Sequence, residues 1–369
     1  YFVTQFRGMP LLPWDIASFS TAMGVVSNYD FLPTIRIVFV LSIGLFQILL
    51  GIKCNERILK GRALLRLGAA AVSCALLAGC CFYVRSDHCV KSFSLVNSNS
   101  NISGMYTKNG FAVAFLVSTN YNQKPENYSL DMIDDISSRY PSDPVSGTGE
   151  ERPNVIVIMN ESYSDLRVLG DFEASEPIFP FIDSLEENTA KGWAHVSVLG
   201  GNTPNSEFEF LTGLTMGFLP QGVIAYQQYV TTPIPSLATQ FNALGYRTVG
   251  SHAFWGGSWN RDRVYPLLGF QETYFKESFP EDAETLRLWI TDSEMYKEVE
   301  KIYEESDQPL FLFGISMMNH GGYHGSTENF DPYVSVRGLE DNGSVSEYIT
   351  LMRETDKDFQ ELIEYFSNT

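Results

Sequence analysis

Two long apolar stretches lie near the start of the chain, at residues 35–52 and 63–84, and each is almost uncharged in its interior. A helix needs roughly 20 apolar residues to cross the hydrocarbon core of a bilayer. Both stretches are therefore predicted to be transmembrane helices. The alternative interpretation is that they are two buried helices of a globular core.

The short segment between these stretches predicts how the chain is oriented. Residues 53–62 contain four Lys or Arg side chains and one acid, Glu56. Basic turns of this kind remain in the cytoplasm. Residues 1–34, an aromatic and Pro-containing loop, are then predicted to lie at the outer membrane interface, and the C-terminal part is predicted to be extracellular. Because the chain begins with Tyr1, we expect further membrane segments before it and a multi-pass protein of the cell membrane.

The pattern changes after residue 153, where short apolar runs alternate with longer amphipathic segments. Continuous apolar strands between helices indicate an α/β domain over 154–369, with a mostly parallel central sheet sandwiched by helices. Residues 85–153 are predicted to be a polar linker. The predicted strands are 155–159, 194–199, 247–251 and 309–316. The predicted helices are 178–185, 205–212, 234–244, 292–305 and 346–365.

Charge and cysteine usage narrow the possible functions. The whole chain of 369 residues carries −19, and its first 84 residues contain seven basic and three acidic side chains, so residues 85–369 carry −23. This acidic part argues against nucleic acid as a partner, because phosphate backbones need Lys and Arg. All five cysteines lie at or before Cys89. The acidic part therefore has no disulfide framework and no Cys-based zinc site.

Polar side chains follow all four predicted strands. These are Glu161, Thr203, His252 and His320. Active sites of parallel sheets form beyond the carboxyl ends of the strands, so we expect these side chains to lie close together.

Thr203 and Glu161 are predicted to form the chemical centre. Thr203 precedes the predicted helix 205–212, where free backbone N–H groups and the helix dipole favour an anion. The carboxylate of Glu161 would supply hard oxygen ligands to Mg²⁺ or Mn²⁺. A cation shared by both side chains would activate the threonine hydroxyl as a nucleophile. The alternatives are a helix N-cap role for Thr203 and a solvated strand-end acid for Glu161.

The segment 251–262 carries a further group of candidate binding residues. Arg261 is predicted to clamp a phosphate by paired hydrogen bonds, with an ordinary surface charge as the alternative. Trp259 is predicted to line the pocket and His252 to donate a hydrogen bond to a substrate oxygen. His320 is predicted to hydrogen-bond substrate or to transfer a proton. A core histidine with satisfied hydrogen bonds is the alternative for His320.

At these motifs the chain resembles the lipoteichoic acid synthase family, which are polyglycerol-phosphate transferases of the alkaline phosphatase and sulfatase superfamily. The similar parts are the loop 6–11, the strand 154–162, the Gly-Asn-Thr-x-x-x-Glu-Phe pattern at 201–208 and the segment 258–262. The resemblance implies an alkaline phosphatase-like fold. It implies that Thr203 is the nucleophile and a metal ligand together with Glu161. It also implies substrate-binding roles for His252, Trp259, Arg261 and His320.

One departure from the family pattern concerns the metal site. Family members place an Asp-His metal pair on a strand after the helix predicted at 346–365, whereas this chain ends at Thr369. Its Asp-His dipeptide, at 87–88, lies in the predicted linker. We therefore expect the remaining ligands beyond Thr369, and we expect the chain as given to bind metal poorly and to be inactive.

The function implied by the resemblance is phosphoglycerol transfer at the membrane. Glycerol phosphate would move from phosphatidylglycerol to a glycolipid, polymer or glycan of the cell envelope through a phospho-threonine intermediate. One alternative is a phosphoethanolamine transferase or a related headgroup transferase. Another is a non-catalytic binding or sensory protein of the same fold. A threonine at position 203, where sulfatases use Cys or Ser, disfavours hydrolysis of sulfate esters.

Overall fold

The computed structural model describes residues 3–4, 8–19, 23, 34–58, 63–121, 124, 127–140, 152–198, 201–323, 326–338 and 343–369. These residues form two compact units. The first takes its residues from 1–16, 29–134 and 219–223, and the second takes the rest. The middle of the predicted flexible tether, the end of the basic turn, Gly200 and the Phe6-Arg7 pair of the external loop lie outside the described residues.

The first unit contains the apolar segments, and both are helical. Its helices are α1 (Ile35–Ile58), α2 (Ala63–Arg85), α3 (Asp87–Ser92), α4 (Ile102–Asn109) and α5 (Phe111–Ser118). None of the residues of α2 is buried, so the alternative of a core helix is wrong for α2. By length and composition α2 can cross a membrane, whereas the apolar section of α1 covers only residues 37–53. The second predicted span, in α1, stays a prediction.

The segment predicted to be a polar linker contains helices among its described residues. Helices α3, α4 and α5 lie within it, followed by α6 (Leu130–Arg139), which crosses the boundary between the two units. Ile102 and Met105 of α4 and Ala114 and Val117 of α5 are fully or almost fully buried. Their spacing of three residues places each pair on one helix face, which accounts for the packed structure where we expected an irregular chain.

The second unit is built from eight strands among its described residues. They are β1 (Val155–Met159), β2 (Glu173–Ala174), β3 (Arg247–His252), β4 (Glu272–Tyr274), β5 (Thr285–Leu286), β6 (Trp289–Ile290), β7 (Leu310–Ile315) and β8 (Val336–Arg337). The central sheet has the order β1-β7-β3-β4, and all its pairings are parallel. Two short antiparallel pairs, β2 with β8 and β5 with β6, lie outside it. The predicted parallel sheet is confirmed.

The helices of the second unit surround this sheet in sequence. They are α7 (Pro180–Ser184), α8 (Thr203–Thr212), α9 (Ala225–Gln228), α10 (Leu237–Ala243), α11 (Arg261–Leu267), α12 (Asp292–Glu304) and α13 (Ser344–Asn368). Short 3₁₀ turns cover Leu166–Leu169, Met216–Phe218, Ser258–Asn260 and Lys276–Ser278. All five predicted helices are confirmed as α7, α8, α10, α12 and α13, with their ends shifted by a few residues.

One predicted strand is wrong in its described part, and one strand was not predicted. Residues 194–198 alternate between apolar and polar, but they are mostly exposed and pair with no described strand. Alternation without a partner or a buried face does not hold a strand. Strand β4 covers only three residues at the edge of the sheet, too few to give a hydrophobic pattern.

The core forms on both faces of the sheet because neighbouring side chains of a strand point in opposite directions. On β7, Phe311 and Phe313 pack into one cluster with Tyr265 and Phe270. Leu312, between the two phenylalanines, packs into the other cluster, on the opposite face. Burial on both faces explains why β7 is apolar at every position and was readable from the sequence.

Gly250 of β3 allows the close approach of a helix to the sheet. A Cβ atom at this position would lie 2.6 Å from Cδ2 of Tyr265, a fully buried side chain of α11. Gly250→Ala is therefore expected to overpack this face and to lower the free energy of unfolding by about 1–3 kcal/mol. Denaturant unfolding followed by tryptophan fluorescence measures the change. Gly192→Ala is the control, because a Cβ there meets no atom within 4 Å.

Candidate functional site

Glu161 and Thr203 lie together at the carboxyl edge of the sheet, as the sequence predicted. The hydroxyl of Thr203 donates a hydrogen bond to Oε2 of Glu161 at 3.3 Å. The hydroxyl of Ser162 donates to the other oxygen, Oε1, at 3.0 Å. The backbone N–H of Glu161 donates to Oγ of Ser316, just after β7, at 3.2 Å. Strand β1, strand β7 and helix α8 therefore fix the carboxylate from three sides.

Helix α8 presents Thr203 as its first residue. The preceding residues Gly201 and Asn202 have φ values of 85° and 59°, so the chain turns sharply into the helix. Asn202 is the N-cap residue and makes no side-chain capping hydrogen bond. The alternative that Thr203 is an N-cap is therefore wrong. The hydroxyl of Thr203 points to Glu161 at a helix end whose backbone N–H groups favour an anion.

The carboxylate of Glu161 has the environment of a cation ligand. Only 9% of the residue is exposed, so the alternative of a solvated acid is wrong. Among the described residues no Lys, Arg or His forms an ion pair with it. Burying an unpaired carboxylate is unfavourable, and a bound divalent ion would remove that cost. Hard oxygen donors from Glu161 and Thr203 fit such an ion as two of its ligands. The described residues contain no cluster of three or more His, Cys, Asp or Glu.

Arg261 is buried in an ion pair rather than exposed. Its Nε lies 3.2 Å from both carboxylate oxygens of Glu207, one turn after Thr203 on α8. The hydroxyl of Tyr265 donates to the same carboxylate at 3.1 Å. Arg261 is 2% exposed and Glu207 is 0% exposed, so the surface-charge alternative is wrong. The predicted contact between Arg261 and a substrate phosphate stays a prediction, since the guanidinium is engaged with Glu207 here.

The charge of this pair is stable over the ordinary pH range. Burial alone would lower the pKa of Arg261, but the neighbouring Glu207 more than offsets this, so the pKa is raised. Glu207 was not predicted as a site residue. Its position in the Gly-Asn-Thr-x-x-x-Glu-Phe pattern was the available signal, because residues four apart share a helix face.

Trp259 lies in a sharp turn that leads into α11. Trp259 and Asn260 both have positive φ values, 59° and 61°. A bulky residue in this conformation is strained, and such strain persists where the surrounding structure holds it. Trp259 is partly buried and packs against the core cluster that contains Phe208 and Tyr265. Its predicted pocket-lining role stays a prediction.

His252 ends β3 and is almost completely buried. Its Nδ1 lies 3.1 Å from the carbonyl oxygen of Ile315. Burial, followed by the positive charge of Arg261, lowers the pKa of His252 well below its ordinary value. The ring is therefore neutral at pH 7, and Nδ1 carries the proton because a carbonyl only accepts. The free Nε2 accepts a hydrogen bond, so the prediction that neutral His252 donates to substrate is wrong.

His320 follows β7 and is partly exposed. Its ring centroid lies 5.1 Å from that of Trp289, on β6. Its Nδ1 lies 3.3 Å from the carbonyl oxygen of Gly321. The ring is thus supported from one side by an aromatic residue that the sequence did not single out. Its predicted substrate role stays a prediction.

Comparison with known proteins assigns the second unit to a family. The sulfatase family model matches residues 153–369, more than half of the chain. The chain is 37% identical over 223 residues to a putative cyclic beta-1,2-glucan modification protein of Rhizobium meliloti. That match covers 59% of this chain and 33% of the relative, so the chain spans about a third of the length of this relative.

Two solved structures have a similar fold. The Streptococcus pyogenes phosphoglycerol transferase GacH, in complex with sn-glycerol-1-phosphate, is 22% identical with a TM-score of 0.54, and the match covers 67% of each chain. The lipoteichoic acid synthase LtaP from Listeria monocytogenes is 21% identical with a TM-score of 0.50, over 58% of this chain and 52% of that one. The chain therefore belongs to the sulfatase family, which confirms the superfamily that its motifs indicated.

Proposed function

We propose that the protein is a membrane-anchored transferase that moves glycerol phosphate from phosphatidylglycerol to a hydroxyl of a cell-envelope glycan. The observation that carries the proposal is the hydroxyl of Thr203, which lies 3.3 Å from the buried carboxylate of Glu161 at a helix N-terminus. The complex of GacH with sn-glycerol-1-phosphate supports the headgroup. The relative named for glucan modification supports a glycan as the acceptor.

The proposed reaction has two steps at Thr203. Its oxygen attacks the phosphorus of the donor, a new Oγ–P bond forms, and the bond from phosphorus to the diacylglycerol oxygen breaks. Diacylglycerol leaves with a proton. The acceptor hydroxyl then attacks the same phosphorus, the Oγ–P bond breaks, and Thr203 regains its proton. Glu161 holds that proton at the start, since its Oε2 accepts the hydrogen bond of the hydroxyl.

Other residues of the chain would bind and orient the phosphoryl group. The first backbone N–H groups of α8 favour its negative charge. The guanidinium of Arg261 would approach it while Glu207 holds the arginine in place. Nε2 of His252 accepts a hydrogen bond from a headgroup hydroxyl. A divalent ion bound at Glu161 and Thr203 would lower the pKa of the hydroxyl and offset the charge of the phosphoryl group.

Thr203→Ala tests the nucleophile. It is expected to lower transfer by the full-length protein by at least about 10³-fold, because no other hydroxyl replaces the attacking oxygen. Release of diacylglycerol from labelled phosphatidylglycerol measures the rate, and an unchanged melting temperature shows that the fold persists. Thr212→Ala, at the far end of α8, is the matched control. Turnover of Thr203→Ala near the parent rate would rule out Thr203.

The choice of donor separates the proposed function from its two alternatives. The full-length protein is supplied with vesicles of phosphatidylglycerol or phosphatidylethanolamine, with Mn²⁺ or Mg²⁺, and with a soluble glucan. Mass spectrometry is expected to show glycerol phosphate on the glucan from phosphatidylglycerol alone. Phosphoethanolamine on the glucan supports the related transferase. Binding of lipid without any product supports the non-catalytic protein.

Glu207→Gln tests the support of Arg261. It removes the countercharge of a buried guanidinium and is expected to lower the free energy of unfolding by about 3 kcal/mol. Below the melting temperature of the variant, KM for the donor is expected to rise. Thermal unfolding and transfer kinetics measure the two effects. Glu186→Gln is the control, since that side chain is exposed. An unchanged KM would show that Arg261 does not contact the donor.

A further inference from the structure

The hairpin formed by β5 and β6 is held in an unusual conformation. Thr285 pairs with Ile290 and Leu286 with Trp289, so Arg287 and Leu288 form the turn. Arg287 has a φ of 56°, a left-handed conformation that is unfavourable for a residue with a side chain. Its neighbour Leu288 is 57% exposed, whereas Arg287 is only 9% exposed. The turn therefore directs an arginine inward and leaves a leucine in solvent, the reverse of the usual preference.

The guanidinium of Arg287 holds the segment that follows β7. Its Nη2 donates to the carbonyl oxygens of Met318 at 2.8 Å and His320 at 2.9 Å. Its Nη1 donates to Oε1 of Glu347, a fully buried residue of α13, at 3.1 Å. A planar guanidinium can make these three bonds together, and a lysine ammonium cannot reproduce the arrangement. The backbone at His320 is thereby fixed to both the hairpin and α13.

Trp289, on the other strand of the hairpin, extends the support to both histidines. Its ring lies 5.1 Å from the ring of His320 and 5.4 Å from the ring of Phe254. The ring of Phe254 lies 6.2 Å from that of His252. The four rings form a continuous row from His252 to His320. These distances are within the range of aromatic contacts.

We propose that Arg287 and Trp289 are positioning residues that set the separation of His252 and His320 for binding the donor headgroup. Arg287 holds the backbone of His320, and Trp289 spaces the two imidazoles through Phe254. This inference rests on the proposed function, because the headgroup is the ligand that both histidines would contact. A buried ion pair by itself adds little stability over apolar residues of similar size. The geometry of the arginine therefore points to positioning.

Arg287→Lys is the main test, and sn-glycerol-1-phosphate is the probe. In a Thr203→Ala background of the full-length protein, the Kd for the probe is expected to rise about tenfold, because His320 loses its fixed backbone. In the background with Thr203, KM for phosphatidylglycerol is expected to rise by a similar factor with kcat within about twofold. Hydrolysis of a small aryl phosphodiester, which has no glycerol headgroup, is expected to stay near the parent rate.

Arg247→Lys is the matched control for lost stability. Arg247 also bonds a carboxylate, that of Glu272, and a carbonyl, that of Ile302. It lies at the start of β3, at the end of the strand opposite His252. Its substitution is expected to lower the melting temperature without changing the Kd for the probe. Trp289→Phe, which keeps a ring beside His320, is expected to retain most of the binding that Trp289→Leu loses.

The outcomes distinguish this inference from the proposed function. If Arg287→Lys binds sn-glycerol-1-phosphate as the parent does, the positioning role is overturned while the transferase stands. If probe binding and aryl phosphodiester hydrolysis fall together in Arg287→Lys and Arg247→Lys, the hairpin is only structural and the inference is likewise overturned. If the parent transfers no lipid headgroup but Arg287→Lys weakens probe binding, the inference holds and the proposed function fails.

Discussion

The parallel pairing of β7 with both β1 and β3 is the constraint on which the site depends. Ile315, the last residue of β7, is level with Met159 at the end of β1 and with His252 at the end of β3. Three strands therefore stop at the same height, and the residues that follow them emerge at one edge. Glu161 can then receive the hydroxyl of Thr203 on α8 while its backbone bonds Ser316 after β7. A shift of β7 by one residue would separate these groups and turn every core side chain to the wrong face.

Buried charges surround this edge in pairs. Glu207 with Arg261 and Glu347 with Arg287 are each almost fully removed from water. Taking two charges out of water is unfavourable unless their geometry and further hydrogen bonds compensate. Here the compensation comes from Tyr265 for the first pair and from two backbone carbonyls for the second. Both pairs lie beside residues with predicted substrate roles, where fixed orientation is worth more than stability.

The sequence predicted the sheet well because its central strands are apolar on both faces. The close approach of Glu161 and Thr203 also followed, since strand ends meet at one edge. The partner of Arg261 did not follow, because an ion pair across 54 residues leaves no local pattern. The role of Arg287 was hidden for the same reason, as its partners lie on β7 and α13. The tautomer of His252 depends on a carbonyl of the neighbouring strand, which only the fold brings into contact.

The pairing of Arg261 with Glu207 has a consequence for the ionic state of the ligand. The carboxylate already neutralises the guanidinium, so the pair offers directed N–H groups without net positive charge. A dianionic phosphomonoester gives up more hydration on entering such surroundings than a monoanionic phosphodiester does. The pocket therefore selects against free phosphate esters and in favour of a phosphate bridged between two alcohols, which is the linkage found in membrane phospholipids.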